Sequence, residues 1–239
     1  KRIIPTDHSI SPYEMIDKIC LLIDELTEAV DVIGISCGGP LDSKRGIIQS
    51  PPNLPNWADI KIVDYLEDKY KCKVYLQNDA NACAVAEWKY GAGQGCENMI
   101  FLTFGTGLGA GLILNGNLYT GTSDMAGECG HIRLSSFGPV GYGKAGSFEG
   151  FCSGSGIAQL GQMMAKEQLQ MGKQVSYCTD VNQLDTITAK KIAEYANEGH
   201  ADAQVVFEVC GEMLGRGLAV LIDILNPECI VLGSVFQRS

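Results

Sequence analysis

The stretch KVYLQNDANACAVAEWKYG, Lys73 to Gly91, carries the clearest structural signal in the chain. Lys73–Gln77 reads as a short buried strand. From Asn78 the pattern turns helical, opened by Asn and Asp caps and closed near Gly91. Strands that alternate with helices make an α/β fold. Asn78 and Asp79 then stand at the carboxyl edge of a strand, where open α/β sheets bind ligands. A carboxylate there can accept a proton from a substrate hydroxyl. The same pair also suits a plain N-cap, and the two roles are compatible.

The flanking sequence repeats the alternation. Upstream, a helix with Met15, Ile16, Ile19, Cys20, Ile23 and Leu26 on one face precedes a strand at 32–36, VIGIS, that feeds a glycine turn. Downstream, MIFLTF (99–104) is a third strand, GTGLGAG turns it, LILNG returns, and NLYTG continues the meander. Residues 127–156 are glycine-rich and irregular. Helical segments follow at about 155–170, 188–198 and 202–225, and NPECIVLGS closes with a strand. A composition shift at 91–98, GAGQGCEN, suggests a hinge between two lobes.

The chain has 239 residues, enough for one large domain or two lobes, and 46% of them are apolar, enough for a real core. The formal charge is −10, with 18 basic residues scattered among 28 acidic ones, which argues against a nucleic-acid surface. The ten cysteines include no C-x-x-C or C-x-C pair, so they read as thiols in a reducing cytosol, not as a disulfide framework or a zinc knuckle. No apolar run approaches the ~20 residues that span a bilayer, and the opening residues do not read as a signal peptide. A cytoplasmic location is expected.

Three further stretches can carry chemistry. FGTGLGAG (104–111) is a strand–glycine–strand hairpin whose backbone N–H groups admit phosphate, or simply a tight turn. It lacks the G-K-[ST] of a Walker loop, and it leads into a strand, unlike a Rossmann fingerprint. GGPLDSKRGIIQSPPNLPNW offers Asn53 and Trp57 as ligand contacts in a loop of ordinary turn composition. GECGHIRLSSFGPVGYGKAGSFEG gathers Glu128, His131 and Glu149 in one glycine-rich region.

Taken together, GISCGGPLD, NLPNW, QNDANACAVAE, TFGTGLGAGLILNG, GECGH, FEGFCSG and LNPECIVLGS occur in the order seen in the ROK family of repressors, open reading frames and kinases. The resemblance spans roughly residues 31–235. It implies an actin-like, ribonuclease H-like ATPase fold with two α/β lobes around a cleft, a sugar-side lobe at 1–95 and a nucleotide-side lobe at 96–239. It implies an ATP- and Mg²⁺-dependent sugar kinase acting on a hexose or N-acetylhexosamine, or the sensor of a sugar-responsive repressor. By motif, Asp79 resembles the catalytic base. Gly39, Asn53, Asn78, Glu128, His131 and Glu149 resemble sugar contacts. Gly105, Thr106, Gly107, Gly109 and Gly233 resemble the nucleotide side. The family also suggests a homodimer or tetramer, with no nucleic acid bound through this chain and no membrane. The acidic charge and the intact Asp79 favour kinase over repressor; a non-catalytic sugar-binding protein is a third possibility.

The chain departs from the family's pattern in two places. Many members place three thiolates after the histidine to bind zinc. Here Val140, Tyr142 and Ser147, or with a one-residue gap Gly141 and Gly143, stand at those positions. A tetrahedral zinc site cannot be built from His131 alone, so no zinc is expected. The family's kinases also open on a phosphate-binding D-x-G-G-T strand and close on a helix. Neither lies within these residues, so the sequence is expected to omit both ends and to bind sugar better than it turns over ATP.

Overall fold

A computed structural model of the chain describes residues 1–234. Two compact units emerge: Lys1–Cys83 with Thr120–Ala126, and Ala84–Tyr119 with Gly127 onward.

The first unit is built on α1 (Pro12–Leu26). A capping box starts this helix: Glu14 N–H donates to Ser11 Oγ (3.2 Å) and Ser11 N–H donates back to Glu14 Oε2 (2.8 Å). Met15, Ile16 and Cys20 of the expected apolar face are buried, whereas Ile19 and Leu26 remain exposed. β1 (Val32–Cys37) pairs in parallel with β4 (Lys73–Asn78), in a register that sets Cys37 beside Asn78. Between them lie the hairpin β2 (Leu41–Asp42) and β3 (Ile47–Ile48), a loop at 49–61, and α2 (Ile62–Tyr70). Ile16, Cys20, Leu41, Ile48, Trp57, Ile60, Leu66, Val74 and Leu76 share one core. α2 carries no signal that the sequence reading used. Its N-cap, Lys61, makes no side-chain hydrogen bond, and its left-handed C-cap is Lys71, where a glycine would have marked the end.

α3 (Asp79–Tyr90) follows β4 without a loop, and the division between units falls within it. The second unit holds a four-stranded sheet in the order β10-β5-β6-β7, comprising β10 (Cys229–Ser234), β5 (Met99–Phe104), β6 (Leu108–Leu114) and β7 (Asn117–Tyr119). β10 runs parallel to β5, and the other neighbours are antiparallel. β5 is almost wholly buried, which suits its unbroken apolar sequence. The β5–β6 ladder closes at the pair Phe104–Leu108. The turn is therefore Gly105–Gly107 alone, shorter than the glycine run suggested, and Gly109 lies inside β6.

The irregular region contains a 3-10 turn (Cys129–His131), the two-residue strands β8 (Val140–Gly141) and β9 (Lys144–Ala145), and the short helix α4 (Phe148–Cys152). Helices α5 (Gly154–Gln170), α6 (Ala189–Asn197) and α7 (Ala201–Leu225) match the expected helical segments. Two fully buried serines start α4 and α5: Ser147 Oγ accepts from Gly150 N–H and Ser153 Oγ from Gly156 N–H, both at 3.0 Å. Among the described residues no helix is long and apolar enough to cross a membrane.

Candidate active site

The candidate residues fall into two groups, one in each unit. In the first unit the parallel pairing of β1 and β4 brings their carboxyl ends together. β1 runs into Gly38–Gly39, and β4 ends at Asn78. A side chain on Gly39 would stand 3.5 Å from Asn78 Nδ2, so the two residues are neighbours. Asn78 Oδ1 accepts from Ala80 N–H (3.0 Å) and Asn81 N–H (3.2 Å), which caps α3. Cap and candidate ligand are thus the same residue, as the sequence allowed. Asp79, the first helical residue, is exposed, with Oδ1 2.9 Å from Ala80 N. Burial, and then the nearby Asp79 charge, push the Cys37 thiol up, so Cys37 stays protonated beside the carboxylate.

Asn53 is exposed on the 49–61 loop. That loop joins the Gly39 segment through Gln49 N–H to Pro40 O at 3.0 Å. Trp57, read as a ligand contact, is instead buried in the core, and its carbonyl accepts from Ser50 N–H. It anchors the loop. Beneath Asn78 lies a brace that the sequence reading passed over. Gln77 Oε1 accepts from Asn78 N–H (2.8 Å) and from Asn81 Nδ2 (3.2 Å). Asn81 is 1% exposed, and its Oδ1 has no hydrogen-bond partner. The i, i+4 spacing of two amides was the only available signal for this pair.

In the second unit the hub is Glu149. Its Oε2 accepts from Leu108 N–H at 2.9 Å, just past the Gly105–Gly107 turn. Three glycines make room for it. A side chain on Gly107 would come 2.7 Å from Glu149 Oε2, one on Gly141 2.8 Å from Glu149 Cβ, and one on Gly130 3.2 Å from that Cβ. The turn, the Cys129–His131 segment and the β8 hairpin therefore converge on one carboxylate.

Glu128 and His131 sit side by side, with Oε2 3.7 Å from Nε2, beyond hydrogen-bond length. The intervening Cys129 is buried, and burial followed by the Glu128 charge pushes its thiol up to about 12, so it is inert at neutral pH. Of the positions where thiolates were sought, Ser147 caps α4 and Tyr142 stacks on His131, with ring centroids 4.7 Å apart at 16°. Among the described residues no group of three or more His, Cys, Asp or Glu is placed to hold a metal. The residues present do not fit a zinc site.

The turn is closed by Gly105 N–H donating to Gly107 O at 3.0 Å. Gly105 has open space where a side chain would be, and Thr106 is exposed. Gly105 O accepts from Gly154 N–H (2.9 Å), and Thr106 O from Ser155 Oγ (2.7 Å), so the start of α5 holds the turn in place. Gly109 and Gly233 lie opposite Thr103, one on each neighbouring strand. A side chain on Gly233 would strike the Phe101 ring at 2.7 Å.

The ROK family model matches residues 2–238, and the chain belongs to that family. A glucokinase of Halalkalibacterium halodurans is 37% identical over 213 residues, 87% of this chain and 63% of its own length. A xylose repressor of Caldicellulosiruptor bescii is 29% identical over 223 residues, 93% of this chain and 54% of its own length. The solved structure of a ROK family glucokinase from Streptomyces griseus, in complex with glucose and AMPPNP, superposes with a TM-score of 0.74 at 30% identity, over 95% of this chain and 73% of that one. The mixed α/β architecture is that of the ROK glucokinases, the actin-like ATPase fold. The chain thus spans 63% of one relative's length and 54% of the other's.

Proposed function

We propose that the chain is the greater part of an ATP-dependent sugar kinase that phosphorylates a hydroxyl of a hexose or N-acetylhexosamine. The observation that carries this reading is Asp79, an exposed carboxylate at the carboxyl ends of two parallel strands, with Gly39 and Asn78 beside it. Asp79 accepts the proton of the acceptor hydroxyl as that oxygen attacks the terminal phosphoryl group of ATP. Phosphoryl transfer needs little covalent help, so positioning and charge stabilisation carry most of the rate. A general base adds roughly 10²–10⁴-fold. Asn78, Gly39 and Asn53 line the sugar side in the first unit. Glu128, His131 and Glu149 hold ring hydroxyls. Gly105, Thr106 and Gly107 approach the ATP phosphates, with Gly109 and Gly233 on the same side. Mg²⁺ bound with the nucleotide would supply neutralisation of the phosphate charge. The protein works in the cytoplasm as a homo-oligomer.

The glucokinase likenesses support this reading, and the bound glucose and AMPPNP of the Streptomyces griseus enzyme fit it. A second reading, the sugar sensor of a repressor, is favoured by the xylose repressor likeness. The experiment that separates them is ADP release by the full-length protein with MgATP across hexoses and N-acetylhexosamines. Turnover with one sugar supports the kinase. Sugar-dependent thermal stabilisation without turnover moves the reading to the sensor.

A further inference from the structure

The hairpin at 140–145 is short and unusually built. β8 and β9 pair Val140 with Ala145 and Gly141 with Lys144. That leaves two residues to turn the chain, Tyr142 and Gly143, with φ of +48° and +72°. A two-residue turn with both positions left-handed normally takes Asn, Asp or Gly first. Tyrosine there is strained, because its Cβ crowds the backbone. Burial does not offset the strain, since Tyr142 is 72% exposed. A strained residue that gains nothing from burial points to a local task.

The task is visible in what the hairpin touches. The Tyr142 ring stacks on the His131 imidazole, 4.7 Å between centroids and 16° from parallel. Lys144, next after the turn, donates from Nζ to the His131 carbonyl oxygen at 2.7 Å. One hairpin therefore grips both the ring and the backbone of His131, while the imidazole edge faces Glu128. The hairpin is itself held rigid. Val140 N–H donates to Gln159 Oε1 (3.0 Å), and Gln159 Nε2 donates to Val140 O (2.9 Å), a two-way clamp from α5. Gly141 packs so closely on Glu149 and Gly150 that a side chain would come within 2.8 Å of either.

We propose that Tyr142 and Lys144 are positioning residues that hold the His131 imidazole in the orientation in which it meets a sugar hydroxyl, a restraint supplied here by a ring stack and a lysine. The proposal rests on the reading of His131 as a sugar contact. Neither residue need touch the sugar. A packed neighbour that fixes a binding side chain improves affinity by lowering the ordering cost of complex formation.

The test is a double-mutant cycle in the full-length protein, read by affinity and by NMR. The sugar probe is the one that the unmodified protein binds most tightly among hexoses and N-acetylhexosamines. Tyr142→Ala is expected to weaken that affinity by about 2- to 10-fold, the range of an aromatic stack. Tyr142→Phe keeps the stack and is expected to stay near the unmodified value, and Lys144→Met is expected to weaken binding. In a His131→Ala background, Tyr142→Ala should add nothing. The chain has three histidines, so the His131 ring protons are assignable, and their stacking-induced shift should vanish in Tyr142→Ala and persist in Tyr142→Phe. An unmoved His131 resonance in Tyr142→Ala overturns the stack. Equal weakening by Tyr142→Ala with and without His131 overturns the positioning role. If His131→Ala binds sugar as well as the unmodified protein, the sugar-contact reading fails and this proposal fails with it; the NMR shift still reports whether the stack forms.

Discussion

Glu149 shows how much a single carboxylate can organise. It accepts from Leu108 N–H beside the glycine turn, and Gly107, Gly130 and Gly141 each lack a side chain where one would crowd it. The glycine-rich sequence around it looked irregular because the reason for those glycines is spatial. Glu128 has a different position, exposed at the mouth of the same segment and not bonded to His131. A hydrogen bond from a sugar hydroxyl to such a charged oxygen is worth about 1.5–3 kcal/mol. Glu128→Ala is therefore expected to weaken sugar binding roughly 10- to 100-fold while leaving the fold intact. Titration calorimetry checks this, and unchanged affinity would remove Glu128 from the sugar side. Asn78, Asp79, Glu128, His131 and Glu149 stood out in the sequence as candidates because each is a polar residue set among turn or cap signals, while the roles proposed for them rest on the family resemblance. Tyr142 and the Gln77–Asn81 brace did not stand out, since a stack and a buried amide pair depend on which segments meet.

Among the elements, α7 illustrates a packing constraint that propensity hides. Alanine in a helix interior is usually better than glycine by roughly 0.5–1 kcal/mol. At Gly217, however, a Cβ would lie 2.5 Å from the tip of the fully buried Phe148 ring, which has nowhere to move. Gly217→Ala should thus destabilise the protein by about 1–3 kcal/mol, the cost of overpacking. Thermal or urea unfolding reads this directly, and a rise in stability would contradict the packing. The 120–126 segment carries a pH-dependent tie. Asp124 adopts φ +56°, and its Oδ2 accepts from Ser43 N–H at 2.6 Å. Burial pushes this carboxyl up, but the bonds from Ser43, with Thr120 and Lys44, outweigh it and hold it below the usual carboxylate range. A depressed folded value means that the tie stabilises fully above the ordinary Asp range and is lost as pH falls through the depressed value. The melting temperature should drop on acidification, and less steeply in Asp124→Asn, which keeps the left-handed backbone but cannot titrate. Identical acid slopes would show that Asp124 contributes nothing. At this level α1, α3, β5 and the late helices were legible from caps and period. α2 was not, because Lys61 and Lys71 stand where a capping side chain and a glycine would have marked its ends.

For the molecule as a whole, the alternation of strand and helix in the sequence pointed to an α/β fold, and the chain shares the actin-like ATPase fold of the ROK glucokinases. The seven ordered motifs carried that information; no single one did. What the sequence did not convey is the partition of the chain, in which Thr120–Ala126 belongs with residues 1–83 and Asp124 Oδ2 accepts from Ser43 N–H, 81 residues away. The central claim is that Asp79 takes the proton of a sugar hydroxyl. The most direct measurement compares Asp79→Asn with the unmodified full-length protein, both for MgATP-dependent ADP release with the preferred sugar and for sugar affinity. Asparagine is equally at home at a helix start, so the variant should fold. The account predicts turnover lowered roughly 10²–10⁴-fold with sugar affinity nearly unchanged. Near-full turnover in Asp79→Asn would contradict it.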